Sequence, residues 1–523
     1  MLAFKAKIAS AENNKNSKLL RKLGNNEAYQ LAMYTLDQYR GTSVACRYTP
    51  PSHLTNSEFR ADLVRMVETA IADVVLQHPV LQVGIIDAES KNPTWVTLQR
   101  LDLHEHITWR FLNASDNFEE ISKEVTASEI DGVFPELESR PGWRIVVLCQ
   151  VGTNLLEINF TWNHPHADGM SGKIFQEDLY QRLNKPNRQE DKKQESIGSS
   201  IIMLPAAPQL PPPIEEISKL PLNLSFIAKM AWEEFGPASL AWTRTSLARW
   251  APFRMSPYQT QFRAFDIKND SLSKILIACR REKSTLTSLL HGLAMVSLAA
   301  QLDEKIAPAF ESGTTVDMRR FIPSNHPSYP WLIPKRTMGN YVTVMSHEFD
   351  KMLVSQICDQ LWAADDQNPL LPPKLLLQVW KISARVRGDI EHKISTGLKN
   401  DPVGAMKFVG DWRQAMSDAA KRPRQYSWWV TGVGVLDGKP KFQNEASSAA
   451  DNIAGENTWA VHRAQFALST ESTAAAFMIS PMTAKGERLS VGVSWQDCIC
   501  DVQMGERVAA DLQRWLGQIA DES

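Results

Sequence analysis

Residues 143–172 constrain this chain more than any other stretch. Trp143 to Gln150 is a run of β-branched and aromatic residues, Gly152-Thr153-Asn154 supplies a turn, and Leu155 to Trp162 alternates apolar with polar residues. Together they predict an antiparallel hairpin. On the returning strand Leu156, Ile158, Phe160 and Trp162 share a face. Continuing the pleat puts His164 on that face too, directed inward rather than to bulk water. The strand runs into Asn163-His164-Pro165-His166-Ala167-Asp168-Gly169, and a helix is expected from about Met170–Gly172 to Leu183. The chain must therefore hold a histidine and an aspartate on a loop between a buried strand and a helix. A histidine so placed can take a proton from a hydroxyl, the aspartate can fix local geometry, and the glycine permits a tight backbone.

At 523 residues the chain exceeds what one hydrophobic core usually supports, so two large domains are expected. Residues 56–78 read as an amphipathic helix carrying Phe59, Leu63, Met66, Ala70 and Val74, with Asn56 or Ser57 as its cap, and Gln82 to Ile86 as a strand. Residues 184–198 are charged and hydrophilic, and residues 205–213 read Pro-Ala-Ala-Pro-Gln-Leu-Pro-Pro-Pro, which is linker chemistry. The expected organisation is an N-terminal domain over 1–184, a linker over 185–222 and a C-terminal domain over 223–523. Leu224 to Trp250 reads as one helix with Trp232, Trp242 and Trp250, packed on the domain or lining a pocket. Beyond it come two helices over 272–301, the second starting at Lys283–Thr287, strands at 313–319 and 340–349, and helices at 351–364 and 375–398. A hairpin of Ala474–Ser480 and Leu489–Trp495 precedes a last helix from Asp501 or Met504 to about Ile519. The class is α/β or α+β with mainly antiparallel or mixed sheets.

Composition excludes several functions. Net charge is −2 and no long basic block occurs, so nucleic acid is not an expected partner. No stretch approaches the roughly 20 apolar residues of a membrane span, and the N-terminus lacks the apolar core of a secretory signal. A cytoplasmic protein is expected. Six scattered cysteines suit a reducing compartment better than a disulfide framework. Cys498-Ile499-Cys500 lies in a strand-like segment and reads as buried thiols rather than a zinc site, since no second pair accompanies it.

The strand–His-x-x-x-Asp-Gly–helix unit resembles the catalytic loop of the acyltransferase superfamily with the chloramphenicol acetyltransferase fold. That superfamily includes peptide condensation domains, plant BAHD acyltransferases and fungal alcohol O-acetyltransferases. Further segments agree in order: His78-Pro79-x-Leu81, Pro141-Gly142-Trp143-Arg144, Thr285-Leu286-Thr287 followed by Leu289-Leu290-His291, Asp317-Met318-Arg319, Gly339-Asn340-Tyr341, and Phe466 to Trp495. The correspondence spans about residues 27–518, and its order and lengths most resemble the fungal secondary-metabolite O-acetyltransferases of the trichothecene 15-O-acetyltransferase kind. Three departures stand out. Asn163 precedes His164 where condensation domains carry a second histidine. The plant D-F-G-W-G motif is absent, with Ser494-Trp495-Gln496-Asp497 near the corresponding end. A serine-asparagine segment of the C-terminal half reads Val430-Thr431-Gly432-Val433-Gly434.

The resemblance implies two pseudo-symmetric domains with mixed sheets and an active-site tunnel between them. It implies that His164 is the general base moving an acyl group, expected to be acetyl, from acyl-CoA to a hydroxyl of a small secondary metabolite, with no covalent enzyme intermediate. Asp168 is expected to pair with an arginine of the other domain, Arg319 in first place and Arg320 in second. Gly169 is expected to allow a close backbone approach, Asn340 and Tyr341 to border the tunnel, and Thr431 or Trp495 to supply an oxyanion donor. No resident cofactor or metal is implied, acyl-CoA being a co-substrate, and a monomer is expected.

Two rival readings share these residues. His164-x-His166-x-Asp168 also resembles the H-x-H-x-D-H metal loop of metallo-β-lactamase-fold hydrolases, with Gly169 in place of the last histidine; there His164, His166 and Asp168 would be zinc ligands. The other rival is a non-catalytic, metabolite-binding member of the same fold. His291, on an apolar helix beside Leu289 and Leu290, reads as a packing histidine, and His392 and His462 are given no role.

Overall fold

The structure, a computed structural model, describes residues 17–55, 57–185, 200–235, 244–362, 370–438 and 458–522. Its framework is two mixed sheets. The first holds five strands in the order Ala460–Leu468, Gly41–Thr49, Leu156–Asn163, Trp143–Gln150, Ile107–Leu112; all neighbours are antiparallel except the last pair. The predicted hairpin is its centre, with Trp162 opposite Trp143 and Asn163 opposite Gly41. Alternation along Leu156–Asn163 implied one wet face, yet both faces are buried. Leu156, Ile158, Phe160 and Trp162 enter the main N-terminal core with the helices Arg60–Gln77 and Gly169–Leu183. Glu157, Asn159 and Thr161 lie on the other face, near the helix Phe118–Asp131. There Glu157 accepts from Arg47 at 3.0 Å and from Ser122 of that helix, so its buried charge is paired.

The second sheet runs Thr260–Lys268, Arg488–Gln496, Ala475–Ala484, Tyr426–Val430, Phe310–Asp317, Val342–Phe349, with Gly434–Leu436 also on Ala475–Ala484. The strand Tyr426–Val430 is parallel to both neighbours. The helices Asn269–Arg281, Leu286–Ala299, Pro373–Thr396 and Val502–Asp521 bury their apolar stripes with this sheet in one cluster. Thr285 caps Leu286–Ala299 by accepting from Ser288 N–H, and Asp501 caps the last helix by accepting from Gln503 N–H at 2.8 Å.

One strand crosses between the halves. Ala460–Leu468 belongs by sequence to the C-terminal segment but pairs antiparallel with Gly41–Thr49, Ala464 facing Cys46. The N-terminal core accordingly takes in Trp429, Val433, Phe466, Met478 and Met482.

Several expectations need correction. The helix read over 56–78 is Arg60–Gln77, preceded by a 3-10 turn at Ser57–Phe59. Phe59 stands at the cap position and is 42% exposed, Ser57 lies within the turn, and Asn56 is outside the described residues. The helix beginning at Leu224 extends to Phe235, residues 244–250 are turns, and Trp242 lies outside the described residues. Part of the expected linker is anchored on either side of its proline-rich stretch: Ile201–Met203 pairs with Arg100–Asp102, and Ile214 and Ile217 are buried. Cys498-Ile499-Cys500 is a turn after the strand Arg488–Gln496, with both thiols unpaired. Among the described residues no helix is long and apolar enough to cross a membrane.

Candidate active site

The strand Leu156–Asn163 ends in a turn closed by the His166 amide on the Asn163 carbonyl, 3.0 Å away. Trp162 Nε1 donates to the Ala167 carbonyl at 2.6 Å, so the loop is fastened to its own strand. Asp168 then caps the helix Gly169–Leu183, accepting from the Ser171 amide and hydroxyl, each at 2.9 Å. The cap sits three residues before Ser171, an N-cap pattern present in the sequence but not used above.

The other side of Asp168 faces the C-terminal half. Arg319 Nη1 donates to Oδ2 at 2.7 Å and Nη2 to Oδ1 at 3.0 Å, a two-pronged pair, while the Tyr341 amide donates to Oδ2 at 2.9 Å. Arg319 also donates to Asp317 Oδ1 and to the Thr337 and Gly339 carbonyls, and its guanidinium lies over the Tyr341 ring. Arg320 is exposed, which removes it as the alternative partner. Burial alone would raise the Asp168 carboxyl, but the attraction and hydrogen bonds of Arg319 outweigh it and hold the group below the usual carboxylate range. Asp168 is thus a charged staple between the halves and is not directed at His164 as a triad carboxylate would be.

His164 lines a cavity of about 200 Å³ at the seam, with Tyr39, Gly169, Thr431, Phe466 and Glu471 among its neighbours on the wall. Its backbone carbonyl accepts from Asn340 Nδ2 at 3.2 Å, Asn340 Oδ1 accepts from Asn26 Nδ2 at 3.0 Å, and Asn26 also donates to the Val342 carbonyl. The two amides form a relay that positions His164 from opposite ends of the chain. Burial pushes the imidazole down to about 4, against smaller raising effects from Asp168 and a hydrogen bond to its own backbone. Gly169 is the close approach: a Cβ there would stand 2.8 Å from both Phe466 Cζ and Val433 Cγ1.

The remaining expected residues divide. Thr431 lines the cavity, and its hydroxyl accepts from Thr315 Oγ1 at 3.0 Å, leaving its own proton to donate elsewhere. Asn340 and Tyr341 do not face the cavity; the first holds His164, and the second donates its hydroxyl to the Pro212 carbonyl at 2.7 Å. Trp495 is not at the site. It is fully buried in the C-terminal core against Gly505 and Phe477, because it sits at an inward position of a strand covered by the last helix. His291 bonds to Ser312 and Thr314 inside the C-terminal half, a satisfied packing histidine, while His392 is exposed and His462 lies beside Glu487 on the surface.

His166 turns away from the cavity. Its Nε2 accepts from the Gly142 amide at 3.1 Å and its ring meets Trp95 edge-on. With Asp168 committed to Arg319 and His166 on another wall, the H-x-H-x-D residues do not converge as metal ligands. Among the described residues no three His, Cys, Asp or Glu side chains do so. Sequence reasoning missed Asn26, Tyr39, Ser171 and Glu471. Except for Ser171, none lies in a local pattern; distant chain segments bring them to the site.

Comparison with known proteins finds similarity to acetyltransferases and condensation domains. The sequence model of the alcohol acetyltransferase family matches residues 100–353. The protein named probable alcohol acetyltransferase FCK4 of Fusarium pseudograminearum is 24% identical over 519 residues, covering 96% of each chain. The solved structure of TRI3 trichothecene 15-O-acetyltransferase from Fusarium sporotrichioides superposes with a TM-score of 0.68 at 13% identity, over 96% of this chain and 94% of that one. The condensation domain of the monacolin K polyketide synthase MokA gives 0.51 at 10% identity, over 97% and 98%. The chain is an acyltransferase of the two-domain chloramphenicol acetyltransferase-like fold, similar to the fungal alcohol acetyltransferases.

Proposed function

We propose that this enzyme moves an acetyl group from acetyl-CoA to a hydroxyl of a small, largely apolar secondary metabolite, with His164 as general base and no covalent enzyme intermediate. The observation that carries the reading is His164 on the wall of the interdomain cavity, its main chain held by the Asn26–Asn340 relay. A neutral alcohol is a poor nucleophile, so attack on a thioester carbonyl needs a base at the oxygen. Burial keeps His164 neutral at pH 7. In the neutral ring one nitrogen carries the proton and the other is an acceptor, which can take the proton of the hydroxyl. The proton then passes to the departing thiolate. The Thr431 hydroxyl, whose oxygen already accepts from Thr315, is the donor for the tetrahedral oxyanion.

No cysteine or serine nucleophile is required. Asp168 and Arg319 act by holding the loop, Gly169 by letting Phe466 close on it, and Asn340 and Tyr341 by support. We infer further that the division at 1–184, 185–222 and 223–523 marks the two halves and their connection, and that the enzyme works as a monomer in the cytoplasm.

A free-thiol assay with acetyl-CoA and a panel of terpenoid and polyketide alcohols tests the reading on wild type, His164→Ala and His166→Ala. Acceptor-dependent CoA release should fall about 10²–10⁴-fold in the His164 variant and persist in the His166 variant. Near-normal turnover from folded His164→Ala enzyme would overturn the mechanism.

A further inference from the structure

The cavity beside His164 is electrostatically lopsided. Among its described lining residues, Glu471 is the one acid, and no lysine, arginine or aspartate accompanies it. Glu471 is 6% exposed, and its Oε2 is buried without a hydrogen-bond partner. A second lining side chain, Gln30, is 5% exposed and leaves its Oε1 equally unpartnered. Both orphan atoms are acceptors when Glu471 is ionised. The orphan donor on the wall, Trp429 Nε1, packs against Gly313. Leaving buried acceptors unpaired is costly, so such a pair is the imprint of a ligand that brings donors.

Glu471 is also firmly placed. Its loop joins the strands Ala460–Leu468 and Ala475–Ala484, and the Ser469 and Ser472 amides donate to the Gly41 and Gln38 carbonyls at 2.9 and 2.8 Å. Aromatic rings complete the surroundings: Tyr29, Tyr39, Tyr426 and Trp429 line the same cavity, and Tyr29 and Tyr39 both feel the Glu471 charge. Burial with no cation to offset it pushes the free carboxyl up to about 8, the state of an acid waiting for a counter-charge.

We propose that Glu471, with Gln30, is the specificity determinant for an acceptor that carries a basic nitrogen in addition to its reacting hydroxyl. The ammonium would donate its N–H to Glu471 and lie against the Gln30 carbonyl dipole and the aromatic rings, where cation–π attraction adds to the ion pair. The proposal rests on the assignment of this cavity to the acceptor alcohol.

Two isosteric probes test it: 4-[(dimethylamino)methyl]benzyl alcohol and 4-isobutylbenzyl alcohol, which differ in replacing the nitrogen by CH. Binding is read by calorimetry without acyl donor, and transfer by thiol release with acetyl-CoA. Wild type should bind the amine about tenfold or more tightly than the carbon isostere. That preference should collapse in Glu471→Gln and shrink in Gln30→Leu. Equal binding of the probes by wild type, failure of wild type to bind the amine, or a preference that survives Glu471→Gln would overturn the proposal. The wild-type comparison stands even if a variant fails to fold. Amine-selective binding with no acetylation of either probe would keep the subsite and sink the transfer reading. Acetylation of both alcohols without preference would do the reverse.

Discussion

Burial, rather than a carboxylate partner, sets the chemistry of His164. An imidazole driven down to about 4 is deprotonated throughout the neutral range, so with an uncharged acceptor kcat/KM should stay level from about pH 7 to about pH 5 and fall below that as the ring gains its proton. An acid limb centred near 6.5 in a pH–rate profile would show that His164 titrates as if exposed. Asp168 runs the other way. Its folded-state pKa lies below the unfolded value near 3.8, so its contribution is present above that value and is lost as pH falls through the lower, folded one. Removing its partner leaves a buried carboxylate alone. Arg319→Met should therefore destabilise the protein by about 3–5 kcal/mol, measured by urea unfolding at pH 7, where an exposed arginine variant such as Arg320→Met should change little.

At the scale of elements, the site is a strand end, a cap and one tight approach. Gly169→Ala would drive a methyl group to 2.8 Å from Phe466 and Val433. It should cost about 1–3 kcal/mol of stability and lower turnover, read by thermal melts and thiol release on the same samples. Elements with strong local signals were legible: the Trp143–Asn163 hairpin alternates, Thr285 and Asp501 mark helix starts, and Gly486 marks the turn between the last two strands. The strands Gly41–Thr49 and Ala460–Leu468 gave no such signal. Both are buried along almost their whole length, and Arg463 and Gln465 interrupt the apolar pattern of the second while remaining inside. Trp495 misled for the same reason: an aromatic residue near a motif reads alike whether it lines a cavity or fills a core. Glu471 and Asn26 were invisible because their meaning comes from segments hundreds of positions apart.

At the scale of the molecule, the halves are not independent. The strand Ala460–Leu468 forms an edge of the N-terminal sheet, and Arg319, Asn340 and Gly339 fasten the His164–Asp168 loop from the C-terminal side. Residues 1–222 made alone would expose the Gly41–Thr49 edge and part of the core, so the fragment should be insoluble or molten. The whole chain should unfold in one transition monitored by both tryptophan fluorescence and far-UV circular dichroism. Two well-separated transitions, or a soluble and cooperatively folded fragment, would contradict that coupling.

The crossing strand also orders events in time. Nascent chains ordinarily let an N-terminal domain close while the rest is still being made. Here the sheet bearing His164 is complete only once residues 460–468 have been made and have paired with Gly41–Thr49. Until that strand pairs, His164 stands in an incomplete sheet, and the wall that Phe466 and Leu468 contribute to its cavity is missing.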